Sequence, residues 1–181
     1  MIRNLSDHLR KWSKGWLVFL LFVVLVGFVV ITLPIAQTAS AGIEGLDSRH
    51  FYTPKEAFSV VAAYSEKGRS LLRFFYLTAD ILNPILYTLF LALFISWLFQ
   101  RGFRPDSKMQ LLNVLPFGAA IFDLLENLSI VTMLSVYPSQ PVFVAWLAVF
   151  GTATKYAFIY TSFTFVIVGI AAAALNRFRV Q

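Results

Sequence analysis

Four ionisable side chains interrupt otherwise apolar stretches of this sequence: Asp80, Asp123, Glu126 and Lys155. Asp123 and Glu126 stand three residues apart, so a helix places both carboxyls on one face within a turn. Two neighbouring carboxyls with an ammonium in reach can perform general acid/base work or carry protons. Covalent catalysis has no support, because no G-x-S-x-G nucleophile signature is present. The chain has no cysteine, which excludes disulfides, thiolate metal sites and thiol redox chemistry. Its two histidines, His8 and His50, fall outside the apolar runs, so no histidine-held haem or zinc is expected at bilayer depth. No metal and no cofactor are expected.

Charges inside a bilayer constrain their own placement. Each costs roughly 2.5–3.5 kcal/mol at the centre of the membrane. Facing lipid, the four would together cost on the order of 10 kcal/mol, the stability of a whole domain. They should therefore face one another or a wet cavity. The spacing allows it. Arg73, Tyr76, Asp80, Asn83 and Tyr87 recur at alternating intervals of three and four residues, which makes one helical stripe. Pro84 removes a backbone donor and should bend that helix beside Asp80 and Asn83. Asn127 shares the face of Asp123 and Glu126, and Pro116, Gly118, Ala119 and Ala120 ahead of them permit close helix approach. Thr152 and Ser162 lie on the Lys155 face, with Tyr156 beside it. The expectation is a shared polar pocket in the outer half of the bilayer. Asp80, Asp123, Glu126 and Lys155 form its floor, assisted by Arg73, Asn83, Tyr87, Asn127 and Tyr156. Three carboxylates against one ammonium leave an excess of negative charge, which low dielectric opposes. Either a carboxyl carries a proton or Arg73 reaches in. Arg69 and Arg73 also read as snorkelling interface anchors, or as a site for a lipid phosphate at the outer leaflet.

The elements that must position these groups are set by composition. Of 181 residues, 59% are hydrophobic and only 13% charged, about half the charge of a soluble domain. Mean hydropathy is +0.74. A soluble chain of this size could not hide that much apolar surface. The reading is one all-α integral membrane domain, a four-transmembrane-helix bundle. Its spans lie at roughly 16–35, 71–99, 109–136 and 142–175. The last exceeds a straight crossing and should tilt or extend beyond the bilayer. The net charge of +6 does not form one patch but flanks the spans, which argues against nucleic-acid binding. Arg3, Arg10, Lys11, Lys14, Arg101, Arg104, Lys108, Arg177 and Arg179 all fall on one side, so both termini should be cytoplasmic. Trp12, Trp16 and Trp97 mark the inner boundary, Tyr76, Tyr137 and Trp146 the outer one. A signal peptide ending at Ala39-Ser40-Ala41 competes for the first span. Its apolar run is longer than a usual signal core, so retention is expected.

Residues 36–70 form the sizeable external loop. Thr53-Pro54-Lys55-Glu56 is a capping box with proline at the first helical position. A short amphipathic helix should follow over 54–67, with Ala57, Phe58, Val61 and Tyr64 on its apolar face and Gly68 as its stop. It serves as a connector or as a lid over the pocket, with Gly68 as a hinge.

The stretch Tyr52–Phe58, the Lys67-Gly68-Arg69 triplet, Asp80, Asn83-Pro84, Tyr87, Asp123-Leu124-Leu125-Glu126-Asn127 and Thr154-Lys155 carry a resemblance. Across roughly residues 50–160 the chain resembles a widespread group of uncharacterised bacterial multi-pass membrane proteins that share the D-x-x-E-N element. The resemblance implies the bacterial inner membrane and no particular activity. In architecture alone the layout is similar to the sterol-isomerase and sigma-2-receptor group, four helices around an acidic, ligand-holding cavity. The isomerase's catalytic histidine has no counterpart here, so no residue role carries over.

The leading expectation is a site for a lipid or apolar small molecule. Asp80, Asp123, Glu126 and Lys155 are the candidate catalytic groups, and Glu126 or Asp123 would be the proton donor of a metal-independent isomerisation or hydrolysis. Membrane lipids and a homo-oligomeric partner are the expected associations. Two other readings stand beside it: a proton- or cation-coupled transport subunit, and an accessory protein whose polar cluster fixes helix register.

Overall fold

The computed structural model describes residues 1–179, the Arg179 side chain excepted. All its regular elements are helical, and no strand occurs among the described residues. An amphipathic helix that the sequence reading missed, α1 (Ile2–Trp12), precedes the first apolar run. Four segments are long and apolar enough to cross a membrane: Gly15–Ala39, Glu66–Gly102, Lys108–Val136 and Val142–Phe178. The first of these, α2 (Gly15–Ala39), buries little beyond Val18 and Ala39 and leaves most of its apolar side chains uncovered.

The loop after α2 folds onto the other helices. A 3₁₀ turn at Leu46–Ser48 buries Leu46, and Tyr52 follows it into the interior. The capping box then starts α3 (Pro54–Ala63). The Thr53 N–H donates to the Glu56 carboxylate at 2.6 Å, and the Glu56 N–H donates to Thr53 Oγ1 at 3.3 Å. Glu56 is held below the usual carboxylate range by these bonds from Thr53. The expected helix to Lys67 is shorter and ends at Ala63. Ser65 instead caps α4 (Glu66–Leu77), accepting the Gly68 N–H at 3.0 Å. Gly68 is thus inside the next helix rather than a stop or a hinge. A Cβ at that position would stand 3.0 Å from the Ala39 carbonyl oxygen, so glycine lets α4 cross the end of α2.

The second long segment is interrupted. α4 ends at Leu77, and α5 (Ala79–Gly102) begins after Thr78, whose φ of −124° and ψ of −84° leave the helical region. This break precedes Pro84, which lies inside α5. Thr78 Oγ1 donates back to the Phe74 carbonyl at 2.6 Å, a bond that competes with helix continuation. The third long segment opens with a 3₁₀ stretch, Lys108–Val114, before α6 (Pro116–Val136). Pro116 occupies the first turn of α6, where its missing N–H is harmless. The last helix is α7 (Val142–Arg179).

Small residues set the helix contacts. At Gly151 of α7 a Cβ would stand 3.0 Å from the Phe122 carbonyl oxygen and 3.1 Å from the Glu126 nitrogen, so α6 and α7 touch backbone to backbone there. Gly102 of α5 meets Ala172 of α7 in the same way, and Gly169 meets Leu98 and Phe99. One end of the molecule collects α1, the 3₁₀ stretch and the described end of α7. Ser6 Oγ donates to the Gln110 carbonyl at 3.0 Å, Gln100 Nε2 to the Arg10 carbonyl at 3.1 Å, and Asn176 Nδ2 to the Arg101 carbonyl at 2.9 Å. At the other end α3 buries Ala57, Val60 and Val61 against Ile130 and Met133 of α6 and Ala145 of α7.

Candidate functional site

The polar residues lie between two apolar cores, one around α3, α6 and α7, the other around α5 and α7. They divide into a closed cluster and an open cavity.

Lys155 is the centre of the closed cluster. Its ammonium meets Asp123 Oδ1 at 3.3 Å, contacts Glu126 Oε2, and reaches the Asp47 carbonyl at 3.5 Å. Two of its N–H donors are thus hydrogen-bonded, to Asp123 and to the Asp47 carbonyl, and Glu126 adds a close ion pair. Glu126 is 0% exposed, Asp123 and Lys155 5%. Such burial is tolerable because the charges oppose one another and hydroxyl donors serve the other carboxylate oxygens. Tyr87 of α5 donates to Asp123 Oδ2 at 2.9 Å, and the Thr152 hydroxyl donates to Glu126 Oε1. The Tyr52 hydroxyl lies 3.1 Å from Thr152 Oγ1, and Tyr156 places its ring centroid 5.1 Å from the Lys155 nitrogen. Each residue gets its place from local structure. The i, i+3 spacing aligns Asp123 with Glu126, the Gly151 contact brings Glu126 to α7, and one helical turn separates Thr152 from Lys155.

The loop after α2 closes this cluster. Its Asp47 carbonyl accepts the Tyr156 hydroxyl at 3.2 Å as well as Lys155, and its Asp47 carboxylate accepts the Tyr76 hydroxyl at 2.7 Å. His50 stacks on Tyr156 with ring centroids 4.4 Å apart. Burial and the nearby Glu126 carboxylate push the Tyr52 phenol up. Burial raises Tyr64, the residue that ends α3, to about 12.

Asp80 stands apart from the ammonium. It is 8% exposed and forms no ion pair among the described residues; its carboxyl opens onto a cavity, beside the Asn127 amide. Its main-chain carbonyl is engaged by Asn127 Nδ2 at 3.4 Å. The Asp80 side chain lines a cavity of about 410 Å³ between α2, α4, α5 and the loop. Asn83, Asp47, Glu44 and Tyr76 line it too, with Leu33 and Phe75 on its apolar side. No lysine, arginine or histidine lines it. Glu44 is paired with Arg49 at 3.4 Å. No group of three or more carboxylate, histidine or cysteine side chains converges closely enough for a metal ion among the described residues.

The expected single pocket is thus two adjoining regions. Asp123, Glu126, Lys155, Tyr87 and Tyr156 come together. Asp80 and Asn83 face the neighbouring cavity, and Asn127 connects the two through the Asp80 backbone. Arg73 is half-buried and forms no ion pair among the described residues, so it does not offset the negative charge. Asp47 and Tyr52 were missed by sequence reasoning, because both lie in the polar loop that the sequence places outside. The usable signal was Leu46 and Tyr52, bulky apolar groups flanking Asp47 in that loop. Comparison with known protein families, curated proteins and solved structures returned no match.

Proposed function

We propose that the chain is a four-span membrane protein of the bacterial inner membrane, with both termini cytoplasmic, that holds a lipid or apolar small molecule in the Asp80 cavity. The observation that carries this reading is the Asp80 carboxyl: largely buried, without an ion-pair partner, and on the wall of a cavity large enough for part of an amphiphile. An ionisable group at that depth without a counter-charge is costly unless a ligand or water in the cavity serves it. The wall chemistry favours a ligand whose polar end donates hydrogen bonds or carries positive charge, because carboxylates lie on it and basic groups do not. Its apolar part would lie along Leu33 and Phe75. The basic flanks named in the sequence support the cytoplasmic assignment of the end that carries α1 and the close of α7.

The closed cluster supports a different role for Asp123, Glu126 and Lys155. With the ammonium paired to both carboxylates and Glu126 fully covered, the triad reads as a lock on the α6–α7 pair. Any acid/base step in the cavity would then fall to Asp80.

The test compares the purified protein with Asp80→Asn, Glu126→Gln and Lys155→Met variants, by lipid and small-molecule extraction followed by mass spectrometry and by thermal unfolding in detergent. Asp80→Asn should lose a co-purifying molecule while keeping its unfolding temperature. An unchanged set of bound molecules in Asp80→Asn would remove the basis for a ligand site.

A further inference from the structure

At the end carrying α1, α5 and α7 form a second feature unrelated to Asp80. An open groove of about 820 Å³ runs between the two helices. Phe94 and Leu98 of α5 and Ile170 and Ala173 of α7 make its apolar walls, and Arg101 and Arg177 stand at its polar end. The walls are fixed by the close contacts of Gly102 with Ala172 and of Gly169 with Leu98, so the groove is preformed.

The charges at this end are unevenly matched. Its acidic side chains are already used: Asp7 pairs with Arg10, and Asp106 lies 3.4 Å from Arg104. Arg101 and Arg177 have no acidic partner among the described residues. Arg101 is nevertheless held in place. Its guanidinium stacks 3.9 Å from the Trp97 ring centroid, and Nη1 donates to the Trp97 carbonyl at 2.8 Å. One of five guanidinium N–H donors is spent, and the rest are free for an anion. A snorkelling arginine needs no such fixation.

We propose that this groove binds an anionic phospholipid, with an acyl chain along Phe94, Leu98, Ile170 and Ala173 and the phosphate held by Arg101 and Arg177. Guanidinium suits phosphate oxygens through paired N–H bonds. The apolar walls match an acyl chain and give a free inorganic anion nothing to bury. If this end is cytoplasmic, it faces the leaflet where anionic lipids concentrate. The inference is independent of the Asp80 cavity and survives if that reading fails.

The experiment uses the full chain, delipidated in detergent and then supplied with phosphatidylglycerol, phosphatidylcholine or inorganic phosphate. Bound lipid is read by native mass spectrometry and stability by thermal unfolding. The wild-type protein should retain phosphatidylglycerol over phosphatidylcholine and be stabilised by it, and phosphate alone should do neither. Arg101→Gln and Arg177→Gln should each weaken that preference roughly fivefold. Ala174→Phe, which fills the groove and leaves both arginines intact, should lower retention of either lipid, and it serves as the test if an arginine variant misfolds. Equal retention of the two lipids by the wild type would overturn the proposal. So would an unchanged preference in the double arginine variant, unchanged retention in Ala174→Phe, or equal stabilisation by phosphate alone.

Discussion

Asn127 donates its side-chain amide to the main-chain carbonyl of Asp80, 3.4 Å away across the α5–α6 interface. That carbonyl lacks its helical donor because the residue one turn on is Pro84, which has no N–H. The asparagine repairs what the proline removes, and both residues are buried. The pair should therefore be energetically coupled. Asn127→Leu should destabilise the wild-type protein by about 1–2 kcal/mol, the cost of an orphaned buried carbonyl. In a Pro84→Ala background the restored backbone N–H would fill the site, and the same change should cost less than half as much. A double-mutant cycle of unfolding free energies in detergent measures this; additive effects would show that Asn127 does not serve the proline.

The two polar regions should respond oppositely to neutralisation. Lys155→Met leaves Asp123 and Glu126 side by side without their cation and should cost about 3–5 kcal/mol. Asp80→Asn replaces a carboxyl that forms no ion pair and should leave the unfolding free energy unchanged or raise it. Thermal or denaturant unfolding of both variants decides the matter, and the ranking reverses if Asp80 is the partner of Lys155.

The face of α6 that carries Asp123, Glu126 and Asn127, and the turn joining Thr152 to Lys155, were legible because helical periodicity alone determines them. The capping box at Thr53 was legible for the same reason, since its bonds span three residues. What periodicity could not show is rotation of one helix against another. Asp80 shares a stripe with Tyr87 on α5, but two turns apart they meet different neighbours: Asp80 lines the cavity bounded by α2, α4 and the loop, and Tyr87 meets Asp123 of α6. α1 escaped notice because its charges read as a membrane flank, although Ser6 and Leu9 are buried. The inward fold of the Asp47 loop depends on long-range contacts to Tyr76, Lys155 and Tyr156, which leave no local pattern.

The α6–α7 contact at Gly151 fixes where Glu126 sits. Adding any side chain there pushes on the Phe122 carbonyl and the Glu126 backbone, which are not free to rotate away. Gly151→Leu gains helix propensity of about 1 kcal/mol, but overpacking costs about 1–3 kcal/mol and separates Glu126 from Thr152 and Lys155 besides. Net destabilisation is expected from thermal unfolding. The same substitution at Gly27, with nothing within 4 Å of its Cβ position, should be neutral or stabilising and serves as the control.

The capping box gives α3 a dependence on acid. Thr53 donates to the Glu56 carboxylate and lowers its pKa in the folded chain. A lowered folded-state value means that this stabilisation is complete above the unfolded carboxyl value, about 4.3, and is lost as pH falls through the folded one. Amide hydrogen exchange across α3 should therefore quicken, relative to the rest of the protein, as the solution is acidified below that range. Glu56→Gln should show the faster exchange at neutral pH already and respond little to acid. Thr53→Ala removes the other half of the box and should cost about 1 kcal/mol at every pH above the transition. Because α3 packs Ala57, Val60 and Val61 on the helices that hold the closed cluster, loosening it should also quicken exchange at the Asp47 loop. If α3 frays in acid while that loop keeps its protection, the two are not one cooperative unit.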